Sequence, residues 1–181
     1  MRYVALLRGI NVNGQKMVKM DLLKSIFEEM KFENIKTYIQ TGNVIFDFQE
    51  GQKDSLCNKI KDKLKETLGF EVPVILKEIE KLEAVICDNP FKNRTLLENE
   101  KLHVTFLERE PSGESAEVLN DYKTDKDEII LQGENVYILC RNGYGKTKFT
   151  NSFLESKLKV KGTTRNFNTI NKIVELGRNN K

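Results

Sequence analysis

The chain has 181 residues, 39% of them hydrophobic and 31% charged, with a formal net charge of +3. That is the balance of a soluble globular protein of one domain or two small ones, with ample material for a core. No apolar run is long enough to span a bilayer and Tyr3 to Leu7 is too short for a signal-peptide core, so a membrane partner is excluded and a cytoplasmic location is expected.

Tyr3-Val4-Ala5-Leu6-Leu7 reads as a first strand. The loop Leu7 to Gly14 that leaves it, Leu-Arg-Gly-Ile-Asn-Val-Asn-Gly, is rich in residues that tolerate positive φ and close backbone approach. Beside Arg8, the amides of Gly9, Asn11, Asn13 and Gly14 suit an anion-binding nest; the same residues equally suit a well-made turn. Leu23, Ile26, Phe27 and Met30 then recur at helical spacing and predict a helix over about Met20 to Lys31. Two alternating runs, Ile35-Thr37-Ile39 and Val44-Phe46-Phe48, are joined by Gln40-Thr41-Gly42-Asn43 and read as a hairpin. Leu56, Ile60, Leu64 and Leu68 mark a second helix that Gly69 can end in a left-handed cap. Val72, Val74 and Leu76 make a fourth strand.

Strand, helix, strand, strand, helix, strand is the ferredoxin-like βαββαβ order, an antiparallel sheet with helices on one face. In that topology the loop after the first strand and the hairpin after the second share one end of the sheet. Arg8 to Gly14 should therefore lie beside Gln40 to Asn43, the turn that holds Thr41, Gly42 and Asn43. A short helix from about Glu78 to Cys87 leads to Asp88-Asn89-Pro90, where the periodicity breaks. The expected domains are 1–90 and 91–181.

The second half repeats the order more loosely. A strand at Leu102-Val104-Phe106 precedes a helix around Ala116, Leu119 and Tyr122. Strands at Glu128 to Gln132 and Asn135 to Cys140 flank Gly133-Glu134. The remainder reads as helical, around Phe153, Leu154 and Leu158 and again around Phe167 to Leu176. No clear final strand is visible, unless Leu158 to Lys161 supplies a short one. The expected fold is α+β: two ferredoxin-like halves, the second irregular with a helical C-terminus.

Four segments also resemble a known family. Leu7 to Gly14, Tyr38 to Val44, Gly143-Tyr144-Gly145-Lys146-Thr147-Lys148 and Thr163-Thr164-Arg165-Asn166-Phe167-Asn168-Thr169 are similar to motifs of the bacterial family called domain of unknown function 1697 (DUF1697). Asn13 stands where that family usually has glycine, and Phe167 where it usually has tryptophan. The resemblance implies membership and no activity, because the family has none assigned.

Charge is unevenly spread. From Arg141 onward there are ten basic residues and two acidic ones, so that stretch carries +8 and the rest of the chain −5. A basic segment on an acidic body suits an anionic partner, or is a solvated lysine-rich surface. Within it, Gly145-Lys146-Thr147 imitates a phosphate loop, but the motif needs glycine at position 140, where the chain has Cys140. Lys146, Thr147 and Lys148 remain candidates for contacting phosphate without hydrolysing it. Thr164, Arg165 and Asn166 are expected to open the final helix, where free amides and a guanidinium suit an anion; the bland alternative is that Thr164 or Asn166 only caps the helix.

Signals for catalysis are sparse. His103 is the lone histidine, no G-x-S-x-G elbow occurs, and Glu108 and Glu110 read as surface charge. Cys57, Cys87 and Cys140 are widely spaced and read as buried thiols. No metal or cofactor is expected. The sequence therefore points to a non-catalytic binder of a phosphate-bearing ligand, nucleic acid ahead of a small nucleotide. The alternatives are an enzyme for a small anionic substrate, clamped by Arg8 and Arg165 and oriented by Asn11, Asn43 or Asn168, and a scaffold or interaction module.

Overall fold

The structure is a computed structural model that describes residues 1–12, 14–49, 53–122 and 127–179. The chain divides into two compact units: Met1–Glu83 with Lys172–Lys181, and Ala84–Asn171.

In the first unit, β1 (Arg2–Leu7), α1 (Met20–Glu29), β2 (Glu33–Tyr38), β3 (Asn43–Asp47), α2 (Lys53–Leu68) and β4 (Val74–Glu78) follow one another. The strands pair antiparallel in the order β2-β3-β1-β4, the ferredoxin-like arrangement. The helices form because their apolar residues fall on one face: Leu23, Ile26 and Phe27 of α1 are all buried. Gly69 ends α2 at φ 77°, a backbone region that costs glycine nothing. One face of the sheet, including Ala5, Leu7, Val44, Phe46 and Leu76, packs with Phe27, Ile60 and Leu64. Phe46 centres an aromatic cluster, with ring centroids of Phe32 at 4.5 Å and Phe27 at 5.3 Å. The alternate residues Val4, Leu6 and Ile45 are also buried.

α3 (Ile79–Cys87) follows β4, and the last helix, α6 (Phe167–Arg178), ends in the first unit. Basic side chains meet its terminal carbonyls: Lys36 donates to Leu176 and Asn179, and Arg2 to Gly177 at 2.6 Å. They satisfy groups that have no partner within the helix and complement its negative dipole end. Arg2 also grips Asp47 through two bonds of 2.6 Å and holds its carboxyl below the ordinary range.

The second unit contains β5 (Lys101–Leu107), α4 (Gly113–Glu117), β6 (Glu128–Gln132), β7 (Asn135–Cys140), α5 (Asn151–Leu158) and β8 (Gly162–Asn166). Its order, β6-β7-β5-β8, is the same ferredoxin-like order. α4 is a single turn extended by a 3-10 turn at Val118–Asp121. The two sheets match in backbone detail. Leu7 donates to Gly42 and Arg8 to Pro73, as Leu107 donates to Glu134 and Glu108 to Lys161, all within 2.8 to 2.9 Å.

β8 corrects the expected absence of a clear final strand. Gly162 to Asn166 pairs with β5 from Leu107 to His103. The segment Gly-Thr-Thr-Arg-Asn lacks apolar alternation and becomes a strand through its long-range partner. Gly162 is required there, since a Cβ would stand 2.9 Å from Thr105 Cγ2 and 3.1 Å from the Phe106 carbonyl.

Candidate functional site

The loop after β1 and the β2–β3 hairpin are tied together in the first unit. Asn11, at φ 54°, donates its side-chain amide to the carbonyls of Val18 and Gln40, both at 2.9 Å, and accepts from the Val18 N–H at 2.7 Å. Gly42 fits against this loop because it lacks a side chain: a Cβ would lie 2.6 Å from Ile10 Cδ1 and 2.9 Å from Leu7 Cβ. Asn43 is fully buried, and its amide donates to the Tyr38 carbonyl at 2.9 Å and reaches Thr41 Oγ1 at 3.4 Å. Backbone bonds engage the N–H groups of Leu7, Arg8, Asn11 and Gln15. Gly9 and Gly14 are exposed and left-handed, and Arg8 is half-buried. Asn13 lies outside the described residues. The loop and hairpin are neighbours as the topology required, and Asn11, Gly42 and Asn43 hold the backbone in place.

The second-half motifs meet around the lone histidine. Thr164 and Thr105 face each other across β5 and β8 with hydroxyl oxygens 2.7 Å apart. Thr164 donates to Asn151 Oδ1 at 2.7 Å and accepts from the Tyr144 hydroxyl at 3.0 Å. Its one proton being used on Asn151, Thr105 is the donor of the shared bond. Tyr144 stacks on His103 at 4.8 Å, and Asn166 Nδ2 lies 3.5 Å from His103 Nε2. An amide donor at Nε2 assigns the ring proton to Nδ1. Nδ1 is buried without a well-formed hydrogen bond. Burial pushes His103 below the usual histidine range, and the Lys101 backbone opposes this in part.

The expected helix start at Thr164 to Asn166 is corrected with β8. These residues occupy a strand, and Arg165 pairs with Val104 in the ladder. Arg165 is buried, donating to Thr163 Oγ1 at 2.9 Å and to the Thr164 carbonyl at 3.0 Å, and desolvation lowers its guanidinium to about 10. Asn166 caps α6, its Oδ1 accepting from the Asn168 N–H at 2.9 Å; Asn168 itself is exposed. Thr147 is also buried and accepts from the Phe149 N–H at 3.2 Å.

Three of the ten basic residues from Arg141 onward are ion-paired. Arg141 bonds to Glu100 and Glu128, joined by Arg94. Lys172 pairs with Glu175, and Arg178 with Glu83. Beside the buried Arg165, the other described basic residues of the segment are Lys146, Lys148, Lys157, Lys159 and Lys161, interrupted by Glu155 alone. Four of these lysines are exposed and Lys157 is half-buried. The ammonium groups of Lys148 and Lys157 each lie 4.8 Å from the Tyr122 ring centroid, and 5.8 and 6.0 Å from that of Phe153. The two rings meet edge to face at 5.0 Å. Such cation–π contacts contribute about 0.5–1 kcal/mol each at exposed sites and draw the two ammonium groups toward the rings.

Sequence reasoning missed Thr105, Tyr144, Asn151, Tyr122, Phe153 and Lys157 and gave His103 little weight. Only Lys157 carried a local signal, standing one helical turn after Phe153. Among the described residues no cluster of three or more metal-ligating side chains occurs, and no helix is long and apolar enough to cross a membrane.

Two folded units of one topology, each organised by polar loop motifs, define an α+β protein of duplicated ferredoxin-like architecture. The chain belongs to the family described as protein of unknown function (DUF1697), which matches residues 1–137. The segments Gly143 to Lys148 and Thr163 to Thr169 lie beyond that match. The structure of the conserved bacterial protein SP0830 from Streptococcus pneumoniae is similar, with a TM-score of 0.70 and 23% sequence identity over 98% of each chain. That likeness concerns the fold. No curated protein matches the chain.

Proposed function

We propose that this protein is a non-catalytic binder of a phosphate-bearing ligand, nucleic acid rather than a free nucleotide. The observation that carries this reading is the run of five lysines between Lys146 and Lys161, none ion-paired among the described residues, with Lys148 and Lys157 held over Tyr122 and Phe153. An open series of cations suits a polymer of phosphates, whereas a single nucleotide calls for a concave, mostly apolar pocket. The surface used differs from the sheet face of typical RNA-binding members of this fold, because the residues alternate to the helix-side core, Val4, Leu6 and Ile45 in one sheet and Val104 and Phe106 in the other, are buried. Of the residues singled out in the sequence, Lys146 and Lys148 contact the ligand in this reading. Thr147, Thr164, Arg165 and Asn166 support the scaffold beneath them.

Fluorescence anisotropy with labelled single-stranded RNA, single-stranded DNA, duplex DNA and ATP, at two salt concentrations, tests it. Binding is expected to weaken with salt, and Lys148→Ala with Lys157→Ala to reduce the log–log salt slope by about 0.7 for each phosphate of a single strand that is no longer neutralised. Absence of binding to any nucleic acid at low salt would reject the reading.

A further inference from the structure

We propose that the loop edge of the first unit is a docking surface for an acidic segment of a partner protein that also carries apolar side chains. This goes beyond the phosphate-binding reading and does not depend on it, since it concerns other residues and another chemistry.

The argument starts at Ile39. Its φ is 50°, and 41% of its surface is exposed. A β-branched residue is a genuine outlier in the left-handed region, which asparagine or glycine enters at far less cost. An exposed turn also favours a polar side chain. Isoleucine goes against both preferences at one position, and such local conflicts concentrate where a surface is used.

Ile39 has company. Val12 is 49% exposed and Met17 68% exposed. Asn11 joins the three segments: Val12 follows it directly, while Met17 and Ile39 immediately precede Val18 and Gln40, whose backbones its side chain binds. The backbone segments that carry three exposed apolar residues are thus tied together by one asparagine.

The edge is basic as well as apolar. Arg8, Lys16 and Lys19 lie on it, and neither the stretch from Leu7 to Met20 nor that from Tyr38 to Asn43 contains Asp or Glu. The acids that flank these stretches in sequence are Asp21, Glu33 and Asp47, and Glu71, brought to the edge by its contact with Lys16, has its carboxylate paired with Lys65 at 2.8 Å. Lys16 is held by the Glu71 carbonyl at 3.1 Å and lies 5.1 Å from the Phe70 ring centroid. A complementary partner therefore brings carboxylates around apolar side chains. The left-handed backbone at Asn11, Lys16, Ile39 and three glycines, tied by the Asn11 side-chain bonds, favours a shaped protein segment. Preorganisation benefits a shape-specific partner, whereas a lipid surface has no use for it.

The test selects binders from a displayed library of short random peptides on the full chain. Affinities are then measured for wild type, Ile39→Asn and the Lys16→Ala/Lys19→Ala pair, with phosphatidylserine vesicles as a parallel arm. Ile39→Asn relieves the backbone and keeps the fold, which a melting curve verifies, so lost binding is not lost structure. Selected peptides are expected to combine Asp or Glu with Leu or Phe, to lose about tenfold in affinity on Ile39→Asn, and to weaken with the lysine pair removed. The proposal is overturned by a selection without binders, by non-acidic peptides, or by affinities that either variant leaves unchanged. It is overturned equally by vesicle binding that Ile39→Asn abolishes, which would make the edge a lipid-binding surface.

Discussion

The side-chain amide of Asn11 donates to the Gln40 carbonyl at 2.9 Å, a contact that, with the packing of Gly42 on Ile10, couples the loop after β1 to the β2–β3 hairpin. Asn11→Ala removes three side-chain hydrogen bonds and leaves a less tolerant residue at φ 54°. At about 1 kcal/mol for each bond, with a further contribution from the left-handed backbone, a loss of about 2–4 kcal/mol is expected. Asn11→Asp is expected to be no better, because it keeps the acceptor for Val18 but sets a carboxylate against two carbonyl oxygens. Urea unfolding checks both; a change within error for Asn11→Ala would remove Asn11 from its organising role.

Near the end of α6, Gly177 permits close packing against Ile79. A Cβ there would meet Ile79 Cδ1 and Cγ1 at 2.9 Å each. Gly177→Ala should improve helix propensity, yet overpacking of this kind costs about 1–3 kcal/mol and is expected to prevail. Ile79→Val removes the Cδ1 carbon and is expected to recover part of the loss in the double variant. Thermal melting of the two single variants and the double variant measures the coupling, and strict additivity would show that the contact is not the cause.

His103 links stability to pH. Burial lowers its folded-state value below the 6.5 of a free histidine. Above that value both folded and unfolded states are neutral and the contribution is constant. As pH falls below 6.5 toward the folded-state value, the unfolded chain takes up a proton that the folded chain resists, so stability declines. His103→Gln is expected to flatten this slope while retaining a polar side chain beside Asn166. Denaturation midpoints across this pH window compare the two proteins; equal slopes would mean that His103 titrates alike folded and unfolded.

The helices and hairpins were legible in the sequence because their signals are local. Leu23, Ile26 and Phe27 lie on one face at helical spacing, and Gly133-Glu134 between two apolar runs gave β6 and β7 their correct bounds. β8 was hidden, since only its pairing with β5 makes Gly162 to Asn166 extended. Everything built on that pairing was hidden with it: the Thr105–Thr164 bond joins residues separated by 59 positions, and the burial of Arg165 follows from the strand. The apparent anion site at Thr164 to Asn166 depended on free helix amides, which a paired strand does not offer. Conversely, the proximity of Arg8 to Gly14 and Gln40 to Asn43 followed from topology alone.

The expectation of three buried thiols holds for Cys140 but not for Cys87, which ends α3 in solvent, and the cysteines separate by environment. Cys140 is buried in β7, and desolvation, aided by the Asp127 carboxylate and opposed by a hydrogen bond to Thr147, pushes its thiol up to about 11. Cys87, at the end of α3, is exposed, and Cys57 is half-buried with its thiol 3.4 Å from the Val74 carbonyl. Only thiolate attacks an alkylating reagent, so at about pH 8 burial and a raised thiol both protect Cys140, while Cys87 lies open to the reagent. Iodoacetamide on the native protein, followed by peptide mapping, is expected to label Cys87 first, Cys57 more slowly, and Cys140 only once the second unit unfolds. Denaturant should therefore expose Cys140 in step with loss of the β5–β7 pairing. Labelling of Cys140 as fast as Cys87 without denaturant would mean that the second core opens readily under native conditions.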